Sequence, residues 1–128
     1  MAKNNQPLSP HLTVYKWQVT NTLSIMHRFS GFTLCFGGVF LSIWLISIGL
    51  GDSAYTLLLK FSNHFIIKLF FLALSFSFFY HSLNGIRHLI WDIGKGFETN
   101  QLKISGVLVV IGAILFASLF WLKVLGLL

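Results

Sequence analysis

Three long apolar runs, separated by short polar stretches, set the frame of this chain. Gly31 to Leu50 is twenty residues without a formal charge, which as a helix rises about 30 Å, one crossing of a bilayer. Phe65 to Ile90 carries charge only at Lys68 and Arg87. The stretch between those two nearly suffices to span, with both side chains snorkelling outwards. Ile104 to Leu122 is the third run, closed by Lys123. Asn21-Thr22 offers an N-cap for the first helix, Gly49 and Gly51 end it, and Gly94 and Gly96 mark a polar loop from Asp92 to Gln101. Gly31, Gly37 and Gly38 thin the first helix where a neighbour can pack closely. The pattern predicts an all-α membrane protein, a single membrane-anchor domain over 1–128 with three transmembrane helices at about 22–50, 63–91 and 103–127. Residues 51–62, with Asp52 and Lys60, read as a short connection. Residues 1–20, with Pro7 and Pro10, read as a short N-terminal surface arm, extended or turn-rich.

Composition removes the soluble alternative. The chain is 55% hydrophobic and only 9% charged, whereas a soluble domain is about a quarter charged. A net charge of +6 invites a nucleic-acid reading. The basic residues, however, stand singly at the ends of apolar runs and form no patch, so the expected partner is the lipid bilayer and not nucleic acid. Lys3, Lys16, Arg28, Arg87, Lys95 and Lys103 fall on one side of the membrane, and Lys60, Lys68 and Lys123 on the other. The positive-inside rule then places the amino terminus in the cytoplasm, or its mitochondrial equivalent, and the carboxyl terminus outside. The first apolar run begins after position 20 and lacks a small-residue cleavage site, so no cleavable signal is expected. Cys35, alone in an apolar helix, offers neither an intrachain disulfide nor a cysteine metal site.

Candidate chemistry concentrates in His81-Ser-Leu-Asn-Gly-Ile-Arg-His-Leu-Ile-Trp-Asp92. Positions seven apart return to nearly the same helix face, so His81 and His88 share a stripe with Asn84 and Gly85 between them. Such a stripe suits a porphyrin: a ring nitrogen for iron, and a gap where the macrocycle approaches the backbone. His81 lies about 9 Å inside Arg87, and ionisable residues at such depth are functional candidates. It reads either as an axial ligand of a b-type haem or as a packing histidine bonded to a carbonyl. The absence of Cys-x-x-Cys-His excludes a covalently attached haem. His27 is level with His88, and both lie closer to water than His81. A second axial ligand is therefore expected from another polypeptide, with His27 and His88, joined by Arg28 or Arg87, suiting the haem propionates. Ser24 and Arg28 share a helix face and could hydrogen-bond a quinone carbonyl, or serve simply as a cap and a topology-setting arginine. His11, His64 and the four tryptophans Trp17, Trp44, Trp91 and Trp121 read as belt or packing residues, and Arg87 and Asp92 as a possible interfacial pair.

Two patterns together resemble one family, the cytochrome b anchor subunits of succinate dehydrogenase. The first is Pro7-Leu-Ser-Pro-His-Leu-Thr-Val-Tyr15 followed by Ser24-Ile-Met-His-Arg-Phe-Ser-Gly31. The second is His81-x-x-x-Gly-Ile-Arg-His-Leu-x-Trp-Asp92-Ile-Gly94. Gln6 departs from the family, which usually has arginine before the proline. The resemblance implies haem b with His81 as one axial ligand, the opposite ligand coming from the small membrane-anchor subunit. It implies that Ser24 and Arg28 line a ubiquinone site completed by the iron–sulfur subunit and the small anchor. His27 and His88 match positions near the haem propionates. Succinate oxidation itself would belong to a flavoprotein subunit, since this chain has no flavin motif and no cluster cysteines. A bacterial inner membrane is expected over a mitochondrial one, because the pattern begins almost at residue 1. The alternatives are the anchor of a quinol:fumarate reductase and a haem-free packing or transport subunit.

Overall fold

A computed structural model describes residues 16–128. Among these, every regular element is helical: α1 (Val19–Gly49), α2 (Asp52–Ser62), α3 (Phe65–Asp92) and α4 (Thr99–Val124). α1, α3 and α4 are long and apolar enough to cross a membrane. At 31, 28 and 26 residues they exceed the roughly 20 needed for the hydrocarbon core. Most of the first surface pattern, Pro7 to Tyr15, and the arm that carries it lie outside the described residues. Val19 and Thr20, assigned to the arm from sequence, already belong to α1.

α3 is the central helix and packs along both α4 and α1. The core is small: Leu23, Tyr80, Val109 and Ala113, with Ala117 below. α4 presents Gly106, Val109, Ala113 and Ala117 inwards, a stripe of small side chains that lets its backbone approach its neighbours. A Cβ added at Gly106 would collide with the Leu23 side chain, and one at Gly37 would stand 2.5 Å from Leu74 Cδ1. Nothing lies within 4 Å of such an atom at Gly38, so of that pair only Gly37 marks a close approach. The outside is the reverse of a soluble surface. Large apolar residues such as Ile46, Phe78, Leu108 and Ile111 are exposed, while Ser30, Ser47, Ser77, Asn84 and Arg87 are buried. Lipid solvates the first group, and polar groups must find partners inside the bundle.

The element boundaries differ from the sequence expectation most in three places, and α4 also closes at Val124, short of 127. α1 starts at Val19 with Gln18 as its N-cap, so Asn21-Thr22 lies inside its first turn, where the Thr22 hydroxyl accepts the Trp17 Nε1–H at 2.7 Å. α4 takes in the polar Thr99-Asn-Gln turn, which carries no apolar signal. The third difference is a correction: 51–62 is not a plain connection but a helix, α2, too short to span and bounded by Gly51 and Asn63. The loop after α3 follows its glycine. Gly94, at φ 77, donates to Trp91 O, and Lys95 donates to Ile90 O, the paired bonds that close a helix through a left-handed residue.

Candidate functional site

Where α1 begins and α3 ends, three imidazoles form a column. The His27 ring stacks on His81 with centroids 4.0 Å apart and planes 12° from parallel. On its other side lies His88, 5.2 Å away and tilted by 36°. Trp91 meets His88 edge-on at 4.8 Å. The seven-residue interval on α3 brings the two outer rings to one face, and antiparallel α1 inserts His27 between them.

His81 is held by α1 at one nitrogen. Its Nδ1 lies 3.2 Å from the His27 carbonyl oxygen and 3.1 Å from Ser30 Oγ, and that hydroxyl donates to the same carbonyl at 2.7 Å. A carbonyl only accepts, so the bond to it requires the proton on Nδ1, which leaves Nε2 with its lone pair. The opposing backbone is equally close. A Cβ at Gly31 would stand 3.0 Å from His81 Cε1. Ser30, buried behind this contact, was missed by the sequence reading; its only signal was a hydroxyl one turn after His27. The Nδ1 atom of His27 is buried without a hydrogen-bond partner among the described residues.

The face around the column is open. Gly85 has nothing within 4 Å of an added Cβ. Ser24 and Arg28 are exposed, one turn apart on α1 and on the same side as His27 and Gly31. The structure thus groups Ser24, His27, Arg28, His81 and His88 at one end of the bundle. Asn84 does not share their stripe. It is fully buried on the neighbouring face, where its Oδ1 accepts from Arg87 Nη1 at 3.3 Å.

Arg87 overturns three expectations at once. Only 5% exposed, it neither snorkels nor pairs with Asp92, and it is not available to a propionate. Its Nε donates to Ser105 Oγ and its Nη2 to Leu102 O, each at 2.9 Å. Its Cζ lies 4.2 Å from the Trp91 ring centroid, a cation–π contact. The reason is local: Leu102 and Ser105, in the first two turns of α4, supply the acceptors. Trp121 is likewise engaged within the bundle, donating to Ser75 Oγ at 2.8 Å, while the described histidine His64 sits exposed before α3.

Residues 2–120 match the model of the succinate dehydrogenase/fumarate reductase transmembrane subunit. The chain belongs to that family. It is 47% identical over 92% of both chains to the succinate dehydrogenase cytochrome b556 subunit of Rickettsia felis. It is 41% identical to the cytochrome b560 subunit of Reclinomonas americana, over 92% of this chain and 85% of that one. The mitochondrial cytochrome b560 subunit of Mus musculus is 42% identical, over 88% of this chain and 68% of its own. Family membership agrees with the resemblance carried by the two sequence patterns, and with an all-α chain of three candidate membrane spans.

Proposed function

We propose that the chain is the large cytochrome b anchor of a succinate:ubiquinone oxidoreductase in a bacterial inner membrane. It would bind haem b jointly with the small membrane-anchor subunit and form part of the ubiquinone-reduction site beside the iron–sulfur subunit. The observation that carries this reading is the state of His81. Iron-ligating imidazoles characteristically donate their second ring N–H to a carbonyl or carboxylate, which fixes the tautomer and the ring orientation. His81 has that arrangement through the His27 carbonyl; a packing histidine would share that bond, and the bare backbone of Gly85 on the same face favours the ligand.

The residues present fit a b-type haem. Gly85 offers bare backbone where a macrocycle needs room, and the unpartnered His27 Nδ1 is an orphan that a propionate oxygen would satisfy. His88 and Arg28 are placed for the same carboxylates. When bound, the haem would supply one-electron storage. His27 is not the opposite axial ligand. His27 and His81 are stacked at 4.0 Å with no layer between them, so the two would not hold one haem between them. A second ligand would come from another polypeptide, which the family resemblance implies is the small anchor. Ser24 and Arg28, a hydroxyl and a guanidinium exposed side by side near the membrane surface, would hydrogen-bond a quinone carbonyl and stabilise the charge that develops on reduction.

The relatives named above are succinate dehydrogenase subunits, which favours this direction of turnover over the quinol:fumarate alternative. The flavoprotein subunit would carry succinate oxidation, so the chain alone is not the enzyme. The test is optical. In membranes containing the assembled complex, His81→Ala should abolish or severely alter the dithionite-reduced b-haem spectrum. An unchanged spectrum removes His81 as ligand.

A further inference from the structure

At the end of the bundle opposite the column of His27, His81 and His88, α2 carries an apolar face that the proposed function does not use. At 3.6 residues per turn, Asp52, Ser53, Thr56 and Lys60 fall within one arc of about 100°. Ala54, Tyr55, Leu57, Leu58, Leu59 and Phe61 take most of the remainder. Among the described residues nothing buries any residue of α2. Leu57 is 69% exposed and Phe61 52%.

The depth of this helix is set by what it is tied to. Lys68 is the first charge of the α3 span, and α3 begins at Phe65, only about 5 Å further out. α2 ends at Ser62, so its last turn lies close to the edge of the hydrocarbon. At the other end α1 runs to Gly49, and Gly51, at φ 96 and ψ −178, takes a conformation essentially confined to glycine. That corner lets the chain enter α2 at once instead of running on into water. Ile43 and Ser47 of α1 share a hollow with Ala54, Leu57, Leu58 and Phe61 of α2. Ile43 is about 9 Å inside the end of α1, so α2 lies back over the last turns of that span.

We propose that α2 is a membrane-surface helix covered by phospholipid. Its Leu57 and Phe61 side chains sit among the upper acyl chains of the leaflet at that end. Asp52, Thr56 and Lys60 face headgroups and water, the arrangement of amphipathic helices that lie in the interfacial plane. Continuity argues for lipid as the occupant. The exposed apolar surface of α2 runs without a break into Ile46, Leu50, Phe65 and Ile66, each at least half exposed at the ends of helices that themselves meet lipid. Lys60 and Lys68 on the same side match phosphate headgroups.

The test places a photoreactive phenylalanine analogue at Leu57, Phe61 or Thr56 of the full chain, in the assembled complex in its native membranes. Irradiation should give peptides heavier by one phospholipid at 57 and 61, in severalfold higher yield than at 56. In parallel, Leu57→Cys in a Cys35→Ser background should resist a membrane-impermeant maleimide that labels Thr56→Cys. Cross-linking of 57 or 61 to another subunit or to a second copy overturns the proposal. So does equal aqueous labelling of Leu57→Cys and Thr56→Cys.

Discussion

A methyl group at Gly31 would have to share space with an imidazole. The contact at 3.0 Å from His81 Cε1 is tighter than a relaxed van der Waals separation, and the ring cannot retreat without loosening its bond to the His27 carbonyl. Gly31→Ala should therefore shift the reduced b-haem absorbance or lower haem content in purified complex. Gly38→Ala, whose Cβ meets nothing, should leave both at the wild-type level. The same end of α1 carries Arg28, exposed and one turn from Ser24. Arg28→Ala should reduce succinate-driven quinone reduction by tenfold or more, since a charge-assisted hydrogen bond to a developing anion contributes about 1.5–3 kcal/mol. Succinate oxidation by an artificial dye should stay near wild type. Loss of both activities with normal assembly would count against a local quinone role. Both residues are legible as candidates in sequence; the closeness of Gly31 to an imidazole 50 residues away is not.

Between elements, the firmest polar tie is the clasp of α3 on α4. Arg87 reaches Ser105, the Leu102 carbonyl and Asn84 at once, and Tyr80 adds a 2.8 Å bond to the Leu23 carbonyl on α1. Interhelical polar contacts in membranes are individually modest, about 0.6 kcal/mol on average. A buried guanidinium with several partners is worth more to the pair than to either helix alone. Arg87→Met should destabilise the complex by about 1–3 kcal/mol, read as a lower Tm of the detergent-solubilised complex. Lys95→Met, in the exposed loop, should leave Tm unchanged. Sequence reading sent Arg87 outwards to the interface because long basic side chains usually go there. The groups that receive it, Ser105 Oγ and the Leu102 carbonyl, lie on another helix and leave no mark beside Arg87 in the sequence.

For the molecule as a whole, three spans put the two ends of the described chain on opposite sides of the membrane. The basic residues Lys16, Arg28, Arg87, Lys95 and Lys103 gather at the histidine end. The expected orientation therefore has that end in the cytoplasm. An alkaline phosphatase reporter fused after Leu128 should be active, and one inserted in the loop at Lys95 inactive. The opposite pattern would invert the topology and put the proposed quinone site at the outer surface.

Hydrophobic run length and charge placement determine the number of spans, because a backbone in lipid has few ways to satisfy its own polar groups. Periodicity along a single helix likewise determines that His81 and His88 share a face. What only the tertiary structure decides is everything that depends on the rotation of one helix against another. His27 inserts between two imidazoles of α3, Ser30 and a carbonyl of α1 fix the His81 tautomer, and Asn84 and Arg87 turn inwards to α4. Apolar periodicity reports helix rotation only where one side meets water. Here the three spanning helices are apolar on nearly every side, so small residues and buried hydrogen bonds, which leave little trace in a hydropathy pattern, select the contacts.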